Sequence, residues 1–109
     1  MRLSPLDPFV TRMRSATAQA HFLLGRYDEA ASWAAMALQD RPDFQGGLRI
    51  AAASNAMAGW PEQAHRAVAR LRQLNPALRV STLKNLMGPW HAEDLSRFEE
   101  GLRRAGLPE

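Results

Sequence analysis

Three features of this sequence predict an all-α fold built from a tandem helical repeat. Gly25, Ala30, Ala35, Gln39 and Pro42 return thirty-four residues later as Gly59, Ala64, Ala69, Gln73 and Pro76, and Ala18 returns in the same register as Ala52. A fixed period of that length marks one helix pair, whose apolar face is covered only when a neighbouring pair stacks against it. Alanine is abundant and β-branched residues are few, a composition that favours helix over sheet. Between the punctuating glycines and prolines, apolar residues recur three and four apart, which is the helical period.

Each element follows from local chemistry. In Ser4-Pro5-Leu6-Asp7-Pro8, Asp7 is expected to cap a first helix and Pro8 to take its first position, where a missing N–H costs nothing. That helix runs to about Leu24 and Gly25 ends it. Arg26-Tyr27-Asp28-Glu29 starts a second helix with carboxylates in its first turn, where the helix dipole favours them. Its buried side carries Ala30, Trp33, Ala34, Ala37 and Leu38. Pro42 forces a break near Asp40-Arg41, and Asp43 is expected to cap a third helix from about Phe44 to Ala58. A turn at Gly59-Trp60 leads into a fourth helix that opens with Pro61 and Glu62 and buries Ala64, Ala67, Val68, Leu71 and Leu74. Phe44 and Leu78, in matching places after the two prolines, are expected to fill the junction between one helix pair and the next.

After Leu78 the period fails. A short apolar stretch from Val80 to Met87 stops at Gly88-Pro89, so a short helix is expected there in place of a third unit. A last helix from about His91 or Ala92 to Ala105 sets Leu95, Phe98 and Leu102 on one face, as an end cap needs. The 109 residues form one domain: a first repeat over 11–44, a second over 45–78, and the short and capping helices over 79–109.

Composition narrows the function classes. Thirteen arginines and one lysine face eleven carboxylates, and the resulting charge of +3 is scattered along the chain. A nucleic-acid reader would show a denser basic stripe with aromatics interleaved, so Arg66, Arg70, Arg72 and Arg79 support only the rival reading of a nucleic-acid-associated module. With no cysteine, disulfides and thiolate metal sites are excluded. There is no apolar run long enough to span a membrane, and Met1-Arg2-Leu3-Ser4-Pro5 lacks the apolar stretch of a secretion signal, so a cytoplasmic protein is expected.

Catalytic and cofactor patterns are missing. His21, His65 and His91 have no ligand spacing for a metal, no Gly-x-Ser-x-Gly elbow is present, and Gly46-Gly47 follows a helix and lacks the rest of a phosphate loop. A non-enzymatic chain without cofactor or metal is expected, with Gly46-Gly47 loosening the first turn of the third helix.

The helix pair with its small-residue, Gly, Tyr, Ala and Pro markers resembles the tetratricopeptide repeat. In the first unit Ala18, His21, Gly25, Tyr27, Ala30, Ala34, Ala37 and Pro42 stand at the marker places, with Gly-Arg-Tyr-Asp-Glu-Ala as the inter-helix turn. The second unit keeps Leu48, Ala52, Gly59, Ala64, Val68, Leu71 and Pro76, but has Pro61 where the turn tyrosine belongs. The resemblance implies an α-solenoid of two helix-turn-helix repeats plus a short helix and a C-terminal capping helix, serving protein–protein interaction or self-association. It also implies a concave groove lined by the first helix of each pair, here Arg12, Ser15, Gln19, Phe22, Arg49, Ala53, Ala56 and Met57. Relatives that grip a peptide's terminal carboxylate use lysine and asparagine at places where Ser15, Gln19, Arg49 and Ala53 stand, so that activity is not carried over. Arg12 and Arg49 remain suited to an acidic protein or peptide segment. With only two units, the outer side of the first helix lacks a neighbour, and Phe9, Val10 and Met13 there are candidates for a homodimer contact.

The ending, from Asp94 through Gly101-Leu102-Arg103-Arg104-Ala105-Gly106-Leu107-Pro108, is similar to the C-terminus of certain bacterial multidomain proteins. In these a nucleotide cyclase or winged-helix domain precedes a repeat region. That similarity implies a regulatory or scaffold part of a signalling protein such as an adenylate or guanylate cyclase.

Overall fold

A computed structural model describes residues 8–82 and 91–109. Five α-helices account for most of this: α1 (Pro8–Leu23), α2 (Tyr27–Asp40), α3 (Gln45–Ala58), α4 (Pro61–Leu74) and α5 (Ala92–Ala105), with a 3-10 turn at Val80–Thr82. No strand is present among the described residues. The expected Asp7 cap and the short helix that was to end at Gly88-Pro89 lie outside the described residues, apart from the 3-10 turn.

The sequence period reappears in the backbone. Gly25 and Gly59 both turn with left-handed φ, +78° and +89°, a conformation open to glycine and strained for other residues. Just after them, the N–H of Arg26 donates to His21 O and that of Trp60 to Asn55 O, each at 2.8 Å. At the other end of each pair, the N–H groups of Arg41 and Asn75 return to Ala37 O (3.0 Å) and Leu71 O (2.8 Å). Those of Phe44 and Leu78 then close the post-helix turns on Arg41 O and Asn75 O, both at 3.1 Å. Ala18, Ala30, Ala52 and Ala64 are wholly buried, so small residues stand in both pairs where the interior leaves least room.

Two local expectations are corrected. Asp43 does not cap α3: Phe44 holds the cap position in an extended conformation without a side-chain bond, α3 begins at Gln45, and Asp43 instead pairs with Arg70 of α4. Gly46 and Gly47 do more than loosen a turn. A Cβ at either would stand 3.3 Å from the Phe44 ring, and one at Gly47 would stand equally close to Leu38, so the glycines make room for the junction residues.

The helices pack in sequence order, α1 on α2, α2 on α3 and α3 on α4, and α5 returns to lie mainly on α3. The capping helix has the expected bounds but covers the middle of the array more than its last helix. Its tail is fixed beyond Gly106 (φ +104°): Val80 N–H donates to Pro108 O (2.8 Å) and the Ser81 hydroxyl to Glu109 O (2.6 Å). Leu107, Leu78 and Val80 are buried beside this clasp.

Candidate functional site

The face formed by α1 and α3 was expected to be an open groove, and α5 divides it. Phe22 and Ala53, both expected to line the groove, are fully buried. The Phe98 ring meets Phe22 edge-on at 5.5 Å, and Phe22 in turn meets Tyr27 at 5.2 Å, favourable arrangements for aromatic quadrupoles. At Ala53 the approach is closer still: a Cβ on Gly101 would lie 3.0 Å from the Ala53 backbone, so only glycine lets α5 sit this near α3. Phe22 and Ala53 are therefore not open to a ligand, because an amphipathic helix of the same chain takes up their apolar surface.

Arg97 locks that arrangement. Its guanidinium donates to Leu23 O (2.8 Å), to the Tyr27 hydroxyl (3.2 Å) and to Asp94 Oδ1 (2.7 Å), and stands 5.9 Å from the Phe22 ring centroid. Leu23 is the last residue of α1, so a cation from α5 satisfies a terminal carbonyl and opposes the negative end of that helix. Hydrogen bonding to Asp94 and then to Tyr27 holds Arg97 above its ordinary pKa.

The remaining predicted groove residues separate into two groups. Arg12 is exposed, while Ser15, Gln19 and Arg49 are partly buried. Ser15 Oγ lies 3.9 Å from the position of a Cβ on Gly46, which is one helical turn before Arg49 on the same face of α3, so α1 and α3 bring these polar positions together. Met57 stands elsewhere, lining a recess of about 350 Å³ with the α1–α2 turn. Arg49 is the most unusual side chain of the set. Burial pushes its guanidinium below the usual arginine range, and its Nε has no hydrogen-bond partner among the described residues. A desolvated guanidinium with an unpaired Nε carries a cost that a bound carboxylate would relieve.

On the outer side of α1, Phe9 and Met13 are exposed, 61% and 48%, whereas Val10 is buried and drops out as a contact residue. Ala16, Ala20 and Leu24 are exposed as well and extend the line of Phe9 and Met13 at helical spacing. Among the basic residues, Arg70 is engaged by Asp43 and Gln73, and Arg14 by Asp40 at 2.6 Å. His21 lies 3.4 Å from Glu29, and His65 lies beneath Gly106. Among the described residues no group of His, Asp and Glu is gathered as a metal would require, and no helix is long and apolar enough to cross a membrane.

Arg97 and Gly101 carry the division of the inner face, and sequence reasoning singled out neither. Gly101 did leave a signal, since a glycine in mid-helix costs about 1 kcal/mol against alanine and so marks a position where close approach is needed. Arg97 left none. No family model, curated protein or solved structure matches this chain.

Proposed function

We propose that this chain is a tetratricopeptide-type interaction module that holds an acidic segment of a partner protein along the uncovered part of its inner face. The repeat supports the solenoid part of the reading, since turn glycines, closing hydrogen bonds and buried alanines all recur in register. Arg49 carries the functional part: it is partly buried and desolvated, and its Nε has no hydrogen-bond partner among the described residues, with Ser15 nearby and Arg12 one turn before Ser15 on α1. The test is fluorescence anisotropy with a labelled glutamate-rich peptide and its glutamine counterpart. The acidic peptide is expected to bind, the neutral one to bind far more weakly, and Arg49→Gln to reduce affinity about tenfold. Equal binding of the two peptides, or no effect of Arg49→Gln, rejects the reading.

Self-association is a second reading, favoured by the apolar line of Phe9, Met13, Ala16 and Ala20 on α1 and Leu24 just after it. Light scattering across a concentration series tests it, and a monomer at the highest concentration removes it. The similarity of the C-terminal segment to repeat-bearing bacterial cyclases supports placing the module as the regulatory or scaffold part of such a signalling protein, which the reading frame around it would test. The nucleic-acid rival predicts binding that falls steeply with salt and is lost when Arg66, Arg70 and Arg79 are reversed. The engagement of Arg70 by Asp43 weighs against it.

A further inference from the structure

On the side of α3 away from α5, the facing surfaces of α2 and α4 leave a groove of about 480 Å³. Its base is Leu48 and Ala51 of α3. Ala51 precedes Ala53 by two residues, which is more than half a helical turn, so this groove and the α5 contact occupy opposite faces of one helix. The groove exists because α2 presents Ala31 and Ala35 and α4 presents Ala67 where larger side chains would close it. Trp60, 41% exposed, stands at its end.

The rim is charged with one sign. Arg66 lines the groove, and no carboxylate does so among the described residues. Glu62 precedes Arg66 by four residues, the separation at which an acid and a base on a helix surface usually pair, yet the two form no ion pair. Arg66 thus has no ion-pair partner among the described residues and contributes a cation beside an apolar floor and an indole. That combination of shape and charge fits an amphipathic helix whose apolar side chains enter between α2 and α4 and whose flanking carboxylate meets Arg66.

We infer that the groove between α2 and α4 is a second docking site, taking an amphipathic, acidic-flanked helix of a partner protein. The inference rests on reading the chain as an interaction module, but it uses neither Arg49 nor its polar neighbours Ser15 and Arg12. The polar inner face selects charge alone, whereas this site requires an apolar side chain as well.

The experiment uses the full chain and a labelled amphipathic peptide with leucines at helical spacing and glutamates between them. Two control peptides replace the leucines by alanine or the glutamates by lysine. Saturable binding of the parent peptide is expected, with about tenfold weakening by Arg66→Glu, by Ala35→Leu and by either control. Ala35 and Arg66 are exposed, so both variants should keep the wild-type helical circular dichroism and melting curve, which is measured alongside. Arg49→Gln should leave this binding unchanged. Binding that survives both Arg66→Glu and Ala35→Leu, or its absence altogether, overturns the inference. Loss on Arg49→Gln alone also overturns it, while supporting the inner-face reading, so the two proposals fail separately.

Discussion

The two helix pairs share their turns and closing hydrogen bonds, but their first helices live in different surroundings. Ala16 and Ala20 of α1 are exposed, and the residues thirty-four further on, Ile50 and Ser54 of α3, are buried, with Ser54 wholly inaccessible. Met13 likewise faces solvent where Gly47 is enclosed. The repeated markers coincide with the glycine turns and with buried alanines in both pairs. Burial at these matched positions differs because α3 is packed by α2, α4 and α5 as well as by α1, whereas α1 is packed chiefly by α2.

Placing the same charge at matched positions should separate the two helices most clearly. Ile50→Lys buries an ammonium among apolar neighbours and should cost roughly 5 kcal/mol, enough to unfold a domain of ordinary stability, whereas Ala16→Lys should change stability by less than about 0.5 kcal/mol. Urea denaturation followed by circular dichroism measures both, and similar losses would show that α1 is packed as tightly as α3. Phe98→Ala removes the ring that α5 sets against Phe22 and should cost about 3–5 kcal/mol in the same assay. A loss under about 1 kcal/mol would mean that α5 does not close the inner face.

Smaller effects refine the picture. Gly101→Ala gains about 1 kcal/mol of helix propensity but forces a methyl onto the Ala53 backbone, so a net loss of about 1–2 kcal/mol is expected as a lower melting temperature. A higher melting temperature would place α5 further from α3. Ser54→Ala makes the second pair match Ala20 of the first. It deletes a buried hydroxyl with no hydrogen-bond partner among the described residues, and a gain of up to about 1 kcal/mol is expected in urea denaturation.

Much of the scaffold was legible because its signals are local. Gly25 and Gly59 announce left-handed turns, Pro61 suits a first helical position, and the spacing of Ala64, Ala67, Val68 and Leu71 identifies the buried side of α4. The capping prediction at Asp43 failed because α3 begins one residue later, with Phe44 at the cap position, and the Asp43 carboxylate pairs with Arg70 of α4. The groove residues were less legible. Phe22 and Ala53 sit at groove-facing places of a helix period, and nothing within their own repeats shows that a helix some fifty residues or more away covers them.

The helices, their turns and their thirty-four-residue register follow from local chemistry, since each depends on propensity, punctuation and periodicity within a few residues. Which faces stay open is an outcome of packing between distant segments. That outcome depends on α5 crossing α3 at Gly101, on Arg97 binding the end of α1, and on alanines leaving space between α2 and α4, all of them contacts between residues distant in the chain. Helix formation is a local equilibrium, whereas the exposure of a helix face is fixed by whatever packs on it.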